Sequence, residues 1–255
     1  MRMKRKSWKR TTVAAAVAAL ALWAGAAAAG QVRLHGATTV VDRVINTHRD
    51  AVERTTGHTL EVTGNATGKG LVDLHEGRCD ASLSSEPVEI AVAAAAAAGR
   101  QVDRAKLQFH VVANDQIVFV VHPSNPVTSL TWEQIRDIHT GKIRNWREVG
   151  GKDQPITVFS DTPTGGTRAM IKATVMGGKE YASSVVALTA VRKVADMVAA
   201  DPTGFGGLGK GFADSRTKVV QTRVLERPLG FLTIGAPSPA VKAIIDAFKA
   251  EAAKK

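Results

Sequence analysis

Short apolar runs alternate with helix-period segments along almost the whole chain, and this alternation restricts the fold more than any other feature. "QVRLHG" (31–36) reads as a strand. It runs into "VVDRVINTHRDAV" (40–52), where Val40, Val41, Val44, Ile45 and Val52 share one helical face and Gly57 is placed to end the helix. "TLEVTG" (59–64), "CDASLSS" (79–85) and "PITVFS" (155–160) read as further strands, and "LQFHVVA" (107–113) and "IVFVVH" (117–122) as two separate buried ones. Helices are expected over "GLVDLHEG" (70–77), the alanine-rich 91–98 and "LTWEQIRDIHTG" (130–141), where Thr131 and Gln134 have capping-box spacing. A last helix is expected over "PSPAVKAIIDAFKAEA" (237–252), with Ser238 as cap and Pro239 in its first turn. A strand reaches a parallel neighbour only through a crossover, most often a helix. The pattern therefore predicts an α/β protein with largely parallel strands.

The first 29 residues stand apart from this pattern. Six cations (Arg2, Lys4, Arg5, Lys6, Lys9, Arg10) precede an apolar run at 13–23 and the small-residue stretch "AGAAAAG". That order predicts a signal peptide over 1–29, cut after Ala29, and export to the periplasm. The apolar run falls short of the roughly 20 residues a spanning helix needs. Setting the six cations aside changes the charge balance from 34 basic residues against 23 acidic to 28 against 23. With no basic run and few aromatics, a nucleic-acid groove is excluded. Cys79 is the one cysteine, so no internal disulfide can form, and its setting in "GRCDASL" reads as a small buried hydrophobe. About 226 residues remain for one large domain or two lobes.

Three places repeat one design, a strand running into a small polar turn and then a helix: "GATTVV" (36–41), "GNATGKG" (64–70) and "TPTGGTR" (162–168). Each could be a helix that caps itself, for which Thr164 or Thr167 would suffice in the third case. Each could equally present bare backbone N–H groups to an anion, with Gly165 and Gly166 clearing the approach and Arg168 adding a forked cation. Three such junctions in one chain favour the anion reading, because converging helix starts focus partial positive charge. "GFGGLGKG" (204–211) nearly satisfies two nucleotide-loop patterns, but Gly211 stands where Ser or Thr would bind magnesium, and it reads as a glycine-rich turn. There is no G-x-S-x-G and no H-E-x-x-H, and the seven histidines lack metal-ligand spacing; most of them read as surface or satisfied structural residues. No enzymatic activity, cofactor or metal is expected.

These residues resemble the secreted phosphate-binding proteins of bacterial phosphate ABC importers. "GATTV" is similar to that family's G-S-T-T start, "CDASLSSEP" to its strand end, and "TPTGGTR" to its G-S-G-T-R anion loop. "VVHPSNPVTSLTWEQIRDIHTGKIRNWREVGG" and "RPLGFLTIGAPSPAVKAIIDAF" are similar to its domain-entry segment and closing strand and helix. The resemblance implies a two-lobe type II periplasmic-binding-protein fold, a flytrap whose lobes are joined by two crossing strands. Lobe one would hold 30–117 and 228–255, and lobe two 118–227. It also implies a monomer, a small oxyanion ligand (phosphate foremost) and a membrane permease partner of the ABC type. The implied anion contacts are Thr38, Thr39, Thr67, Gly68, Ser84, Ser85, Gly165, Gly166, Thr167 and Arg168.

The chain departs from the family pattern at four of these places. Ala37 and Gly165 replace serines, while Glu86 and Asp161 stand where arginines are expected. Hydrogen bonds to charged groups contribute roughly 1.5–3 kcal/mol, so one lost arginine could cost one to two decades in affinity. Glu86 has two readings. It could accept the proton of a protonated phosphate and repel sulfate, or it could point to solvent beside Pro87. The departures also leave room for a rival reading, an exported flytrap-fold sensor or interaction protein with a different ligand.

Overall fold

The computed structural model describes residues 30–254, so the segment expected to be a signal peptide lies outside the described residues. Strands β1 (Gln31–Gly36), β2 (Thr59–Gly64), β3 (Ala81–Ser84), β4 (Leu107–Val121), β5 (Thr157–Ser160), β6 (Val186–Ala187), β7 (Gly204–Gly209) and β8 (Lys218–Ile234) form one sheet in the order β2-β1-β3-β8-β4-β7-β5-β6. The helices are α1 (Thr38–Val40), α2 (Asn46–Thr56), α3 (Thr67–His75), α4 (Val88–Ala97), α5 (Trp132–His139), α6 (Gly166–Thr174), α7 (Lys193–Ala200) and α8 (Pro239–Ala252). A π-helical segment, Val41–Ile45, joins α1 to α2. No described helix is long and apolar enough to cross a membrane.

Two long strands organise everything else. β4 and β8 pair antiparallel along most of their length and pass through the middle of the sheet. Strands β1, β2 and β3 lie to one side, and β5, β6 and β7 to the other. Parallel pairing holds only within each flank (β1 with β2 and β3, β5 with β6 and β7), and every pair that involves β4 or β8 is antiparallel. The sheet is therefore mixed rather than largely parallel, with two α/β lobes carried on one crossing pair.

Each lobe buries both faces of its part of the sheet. On one side of the first lobe, Leu34, Ile45, Leu83, Phe231, Ile244 and Phe248 pack together; on the other, Leu71, Ala91, Ala95 and Leu232 do. In the second lobe, Phe119, Ile135, Trp146, Ile171 and Phe205 form one core, and Phe159, Val194, Val198 and Leu208 the other. Full burial of one such side chain is worth about 1.5–3 kcal/mol, so these cores supply the stability that no disulfide can.

Local signals at helix ends behave as the sequence indicates. The Thr131 hydroxyl accepts from the Gln134 N–H at 3.2 Å while the Gln134 side chain accepts from the Thr131 N–H at 2.9 Å, a complete capping box on α5. Ser238 accepts from the Val241 N–H at 3.3 Å with Pro239 opening α8. α2 ends on Gly57 in a left-handed conformation, φ 71°. Cys79 is buried, and that burial pushes its thiol up to about 12, which makes it the inert small hydrophobe expected.

Two expectations are corrected. "LQFHVVA" and "IVFVVH" belong to one strand, β4; the polar "NDQ" between them continues the ladder, with Asp115 directly opposite Arg227 of β8. "GFGGLG" is no turn but the fully buried strand β7. Its glycines are needed because neighbours occupy the side-chain positions: a Cβ on Gly206 would lie 2.5 Å from Val194, and one on Gly207 2.6 Å from Ile171. His139 stands outside the surface or satisfied majority of the histidines. It is buried among Phe119, Phe205 and Tyr181, neither ring nitrogen has a hydrogen-bond partner, and burial drives its pKa down to about 3.

Candidate functional site

All three strand-to-helix junctions lack a side-chain cap. Ala37 precedes α1, Ala66 precedes α3 and Gly165 precedes α6, and none offers a side-chain acceptor. Neither Thr164 nor Thr167 caps α6, contrary to the self-capping alternative. Ala66 is the one non-glycine residue with positive φ (79°) among the described residues. Backbone held in that region costs on the order of 1–3 kcal/mol and tends to mark ligand clamps and switches.

Two of these helix starts face each other across the lobes. The Gly68 N–H in the first turn of α3 donates to the Thr164 carbonyl ahead of α6 at 3.2 Å. Between them sits the Glu86 carboxylate, wholly buried. Its oxygens lie against Gly166 so closely that a Cβ there would come within 1.7 and 2.0 Å of them. Ser85 holds the carboxylate through its hydroxyl at 2.8 Å and its N–H at 3.4 Å, and the Ser84 hydroxyl donates to the Glu86 carbonyl at 2.9 Å. The solvent-facing reading of Glu86 is thus overturned. Burial pushes its pKa upward, more strongly than Thr67, Arg227 and Ser85 pull it back. Thr67 favours the charged form, although its hydroxyl makes no hydrogen bond.

A second carboxylate lies beside the first. Asp161, at the end of β5, packs on Gly165, where a Cβ would meet its Oδ2 at 2.1 Å. It accepts from the Thr162 N–H at 2.8 Å. Burial pushes Asp161 up to about 7, and the Glu86 charge adds to the rise against the pull of Thr162, Arg227 and Arg168.

The cation of this cluster comes from a residue the sequence reading did not single out. Arg227, in β8, is 1% exposed. Its Nε and Nη2 donate to Asp115 Oδ2 at 3.1 and 2.8 Å, and its Nη1 donates to the Thr167 hydroxyl at 2.7 Å. The pair stacks on Gly209, where a Cβ would meet Arg227 at 2.6 Å and Asp115 at 2.7 Å. Only the cross-strand register puts Arg227 and Asp115 together, so no local sequence signal could have found them.

Of the residues expected to share one site, Thr67, Gly68, Ser84, Ser85, Gly165, Gly166 and Thr167 gather around Glu86. The others lie elsewhere. Thr38 lines a cavity of about 340 Å³ with Asp42, Arg192 and Lys193, spanned by an Arg192–Asp42 ion pair at 3.1 Å. Thr39 is buried behind it. The Arg168 guanidinium lies 3.8 Å over the Tyr181 ring and hydrogen-bonds neither Glu86 nor Asp161; it borders a largely apolar cavity of about 520 Å³ between α4 and α6. It is a stacked, half-buried cation rather than a solvated first-turn residue; its Nη1 is buried with no hydrogen-bond partner, and its charge favours ionisation of Asp161.

Comparison with known proteins bears on this geometry. A family model described as a PBP superfamily domain matches residues 24–250. The phosphate-binding protein PstS of Bacillus subtilis is 28% identical over 158 residues, 62% of this chain and 50% of that protein. The chain spans about half the length of the curated relatives it matches. Among solved structures, a phosphate ABC transporter substrate-binding protein of Clostridium perfringens with bound phosphate superposes with a TM-score of 0.74 at 23% identity, covering 85% of this chain and 92% of that one. An ABC-type phosphate transport receptor of Vibrio cholerae gives 0.68 at 23% identity, covering 88% and 95%. At such identities the structural likeness concerns the fold.

Proposed function

The chain belongs to the PBP superfamily, and from that premise we propose that it is a periplasmic solute-binding protein that captures phosphate, or a closely similar oxyanion, for import by an ABC permease. The observation that carries this reading is the seat of Glu86. Two uncapped helix starts from opposite lobes converge on one buried point, and a carboxylate already rests there against glycines with nothing but hydrogen in the way. Helix N-termini favour negative charge at such a point through free N–H groups and the helix dipole. The proposed contacts are Thr67, Gly68, Ser84, Ser85, Gly165, Gly166 and Thr167, with Arg227 and Arg168 as the cations whose charge reaches the acids. Thr38 lines a separate cavity with Asp42 and Arg192, and neither it nor Thr39 is among the proposed contacts. The phosphate-binding names of the relatives support the choice of ligand.

Capture would follow from lobe motion about β4 and β8, which brings the α3 and α6 starts together on the anion. What supports the lobe division at 30–117, 118–227 and 228–255 is the separation of the apolar cores on either side of the crossing strands. Binding of this kind needs no chemical step. The rival, a flytrap-fold sensor or interaction protein, draws its support from the two buried acids.

A thermal-shift panel with phosphate, sulfate, molybdate and small carboxylates separates the two. A ligand at 100 times its dissociation constant adds about 2.7 kcal/mol of stability. Phosphate is expected to give the largest shift; no shift with any oxyanion would leave the rival standing.

A further inference from the structure

We propose that the cavity between α4 and α6 is a second ligand site, which takes a small organic carboxylate with an unbranched apolar tail. It is separate from the seat of Glu86 and stands whether or not that seat binds phosphate.

The shape comes first. The cavity holds about 520 Å³, within the range of about 300–1,000 Å³ common for ligand pockets. Ile90, Ala93 and Ala97 line it from α4, and Ala169 and Ala173 from α6, so one wall belongs to each lobe. Helices pack by setting the side chains of one into the grooves of the other. Alanines on both helices are too short to fill the space between them, and Ala93, Ala97 and Ala173 remain exposed. The stretch from Ile90 to Ala97 rises about 10 Å along α4, the reach of an extended eight-carbon chain.

The charge of the lining selects the head group. Glu89, Arg168, Lys172 and Glu180 border the cavity. Three of them are already matched: Glu89 accepts from Arg104 at 2.9 and 3.0 Å, and Lys172 and Glu180 pair with each other. Arg168 is the fourth. No described acid hydrogen-bonds it, Asp161 acts on it through charge alone, and its Nη1 is buried with no partner. The guanidinium is also held in place. It lies 3.8 Å from the centre of the Tyr181 ring, and the Tyr181 hydroxyl donates to the Arg168 carbonyl at 3.0 Å. A fixed, unmatched guanidinium beside an apolar channel suits a molecule with a carboxylate at one end and hydrocarbon behind it. An ammonium head would meet Arg168 as a like charge, and an uncharged head would leave it unmatched.

The test is titration calorimetry of the whole protein with octanoate, and with hexanoate, octan-1-ol and octylamine for comparison, in phosphate-free buffer near neutral pH. Octanoate should bind, and hexanoate, two methylenes shorter, should bind roughly fourfold to sixteenfold more weakly. Octan-1-ol should bind at least about tenfold more weakly than octanoate, and octylamine not at all. Arg168→Met should weaken octanoate by about tenfold or more and leave octan-1-ol unchanged. Ala173→Leu, which fills the channel from an exposed position and leaves the fold intact, should weaken both. No octanoate binding to wild type, or octylamine bound as tightly as octanoate, would overturn the site. Octanoate affinity unchanged in Ala173→Leu would overturn its location, and an octanoate-to-octanol ratio unchanged in Arg168→Met would overturn the carboxylate class. Because the buffer contains no phosphate, none of these results depends on the oxyanion reading.

Discussion

Replacing Asp161 with asparagine should make the protein more stable, and the gain should grow with pH in a defined way. In the unfolded chain the carboxyl titrates at its ordinary value of 3.8, whereas in the fold burial raises it to about 7. Between these values the folded protein holds a proton that the unfolded chain has released. Wild-type stability therefore falls as pH rises across that interval, by about 1.4 kcal/mol per unit, and levels off above neutrality. The loss sums to roughly 4 kcal/mol. Asparagine has nearly the same shape, never ionises and can still accept from the Thr162 N–H that Asp161 holds at 2.8 Å. Glu86 contributes to both proteins and so largely cancels. In urea denaturation from pH 4 to pH 8.5 the two proteins should be nearly equal at the acid end, then diverge to a plateau of roughly 4 kcal/mol. For a chain of this size that corresponds to a melting-temperature gain on the order of 10 °C at the alkaline end. A difference that stays constant across the pH range would refute the buried, proton-holding Asp161.

Gly166→Ala should destabilise the protein by roughly 1–3 kcal/mol through collision with Glu86, and Glu86→Ala in the same chain should recover much of that loss in a double-mutant cycle. Arg227→Met should cost about 3–5 kcal/mol in denaturant unfolding because Asp115 is left buried and unpaired, with partial recovery when Asp115→Asn is added. Arg168→Ala should remove about 1 kcal/mol of stacking on Tyr181 while changing phosphate affinity less than tenfold by calorimetry; a larger affinity loss would return Arg168 to the anion site. Cys79 should resist a thiol reagent in the native protein and react promptly only on unfolding, given its burial and its pKa near 12.

Much of the fold was legible because it rests on local pattern. The apolar stripe Val241, Ile244, Ile245 and Phe248 announces α8, and Thr131 with Gln134 announces the start of α5. What failed locally was decided by distant neighbours. "GFGGLG" looks like a turn because glycine is the usual turn residue, yet here it permits Val194, Ile171 and the Arg227–Asp115 pair to lie on a central strand. "NDQ" looks like a break because buried strands seldom carry acids, and only the register with β8 supplies the partner of Asp115. The site divided in the same manner. The glycine-rich helix starts could be read from "TPTGGTR" and "GNATGKG", whereas the burial of Glu86 depends on how the first lobe meets the second. Sequence cannot tell on which side of a first helical turn an arginine leaves, so the stacking of Arg168 on Tyr181 was not legible.

The placement of Asp115 opposite Arg227 also bears on the order of events when an anion arrives. Their stretch of ladder lies between two register shifts, at Val111/Ala113 and at Ile117/Phe119. Interrupted pairing bends more easily than a regular ladder, and the buried ion pair stiffens what lies between, so this segment acts as a short bar with a pivot at each end. Arg227 also holds Thr167 in α6, across the second pivot. Rotation at that pivot must break this bond. Rotation at the first carries away the other lobe with Glu86 and leaves α6, Thr167 and Arg227 assembled. On the proposed capture reading the two lobes are then unequal partners: the cradle on α6 stays prebuilt, and the lobe bearing Glu86 closes onto it.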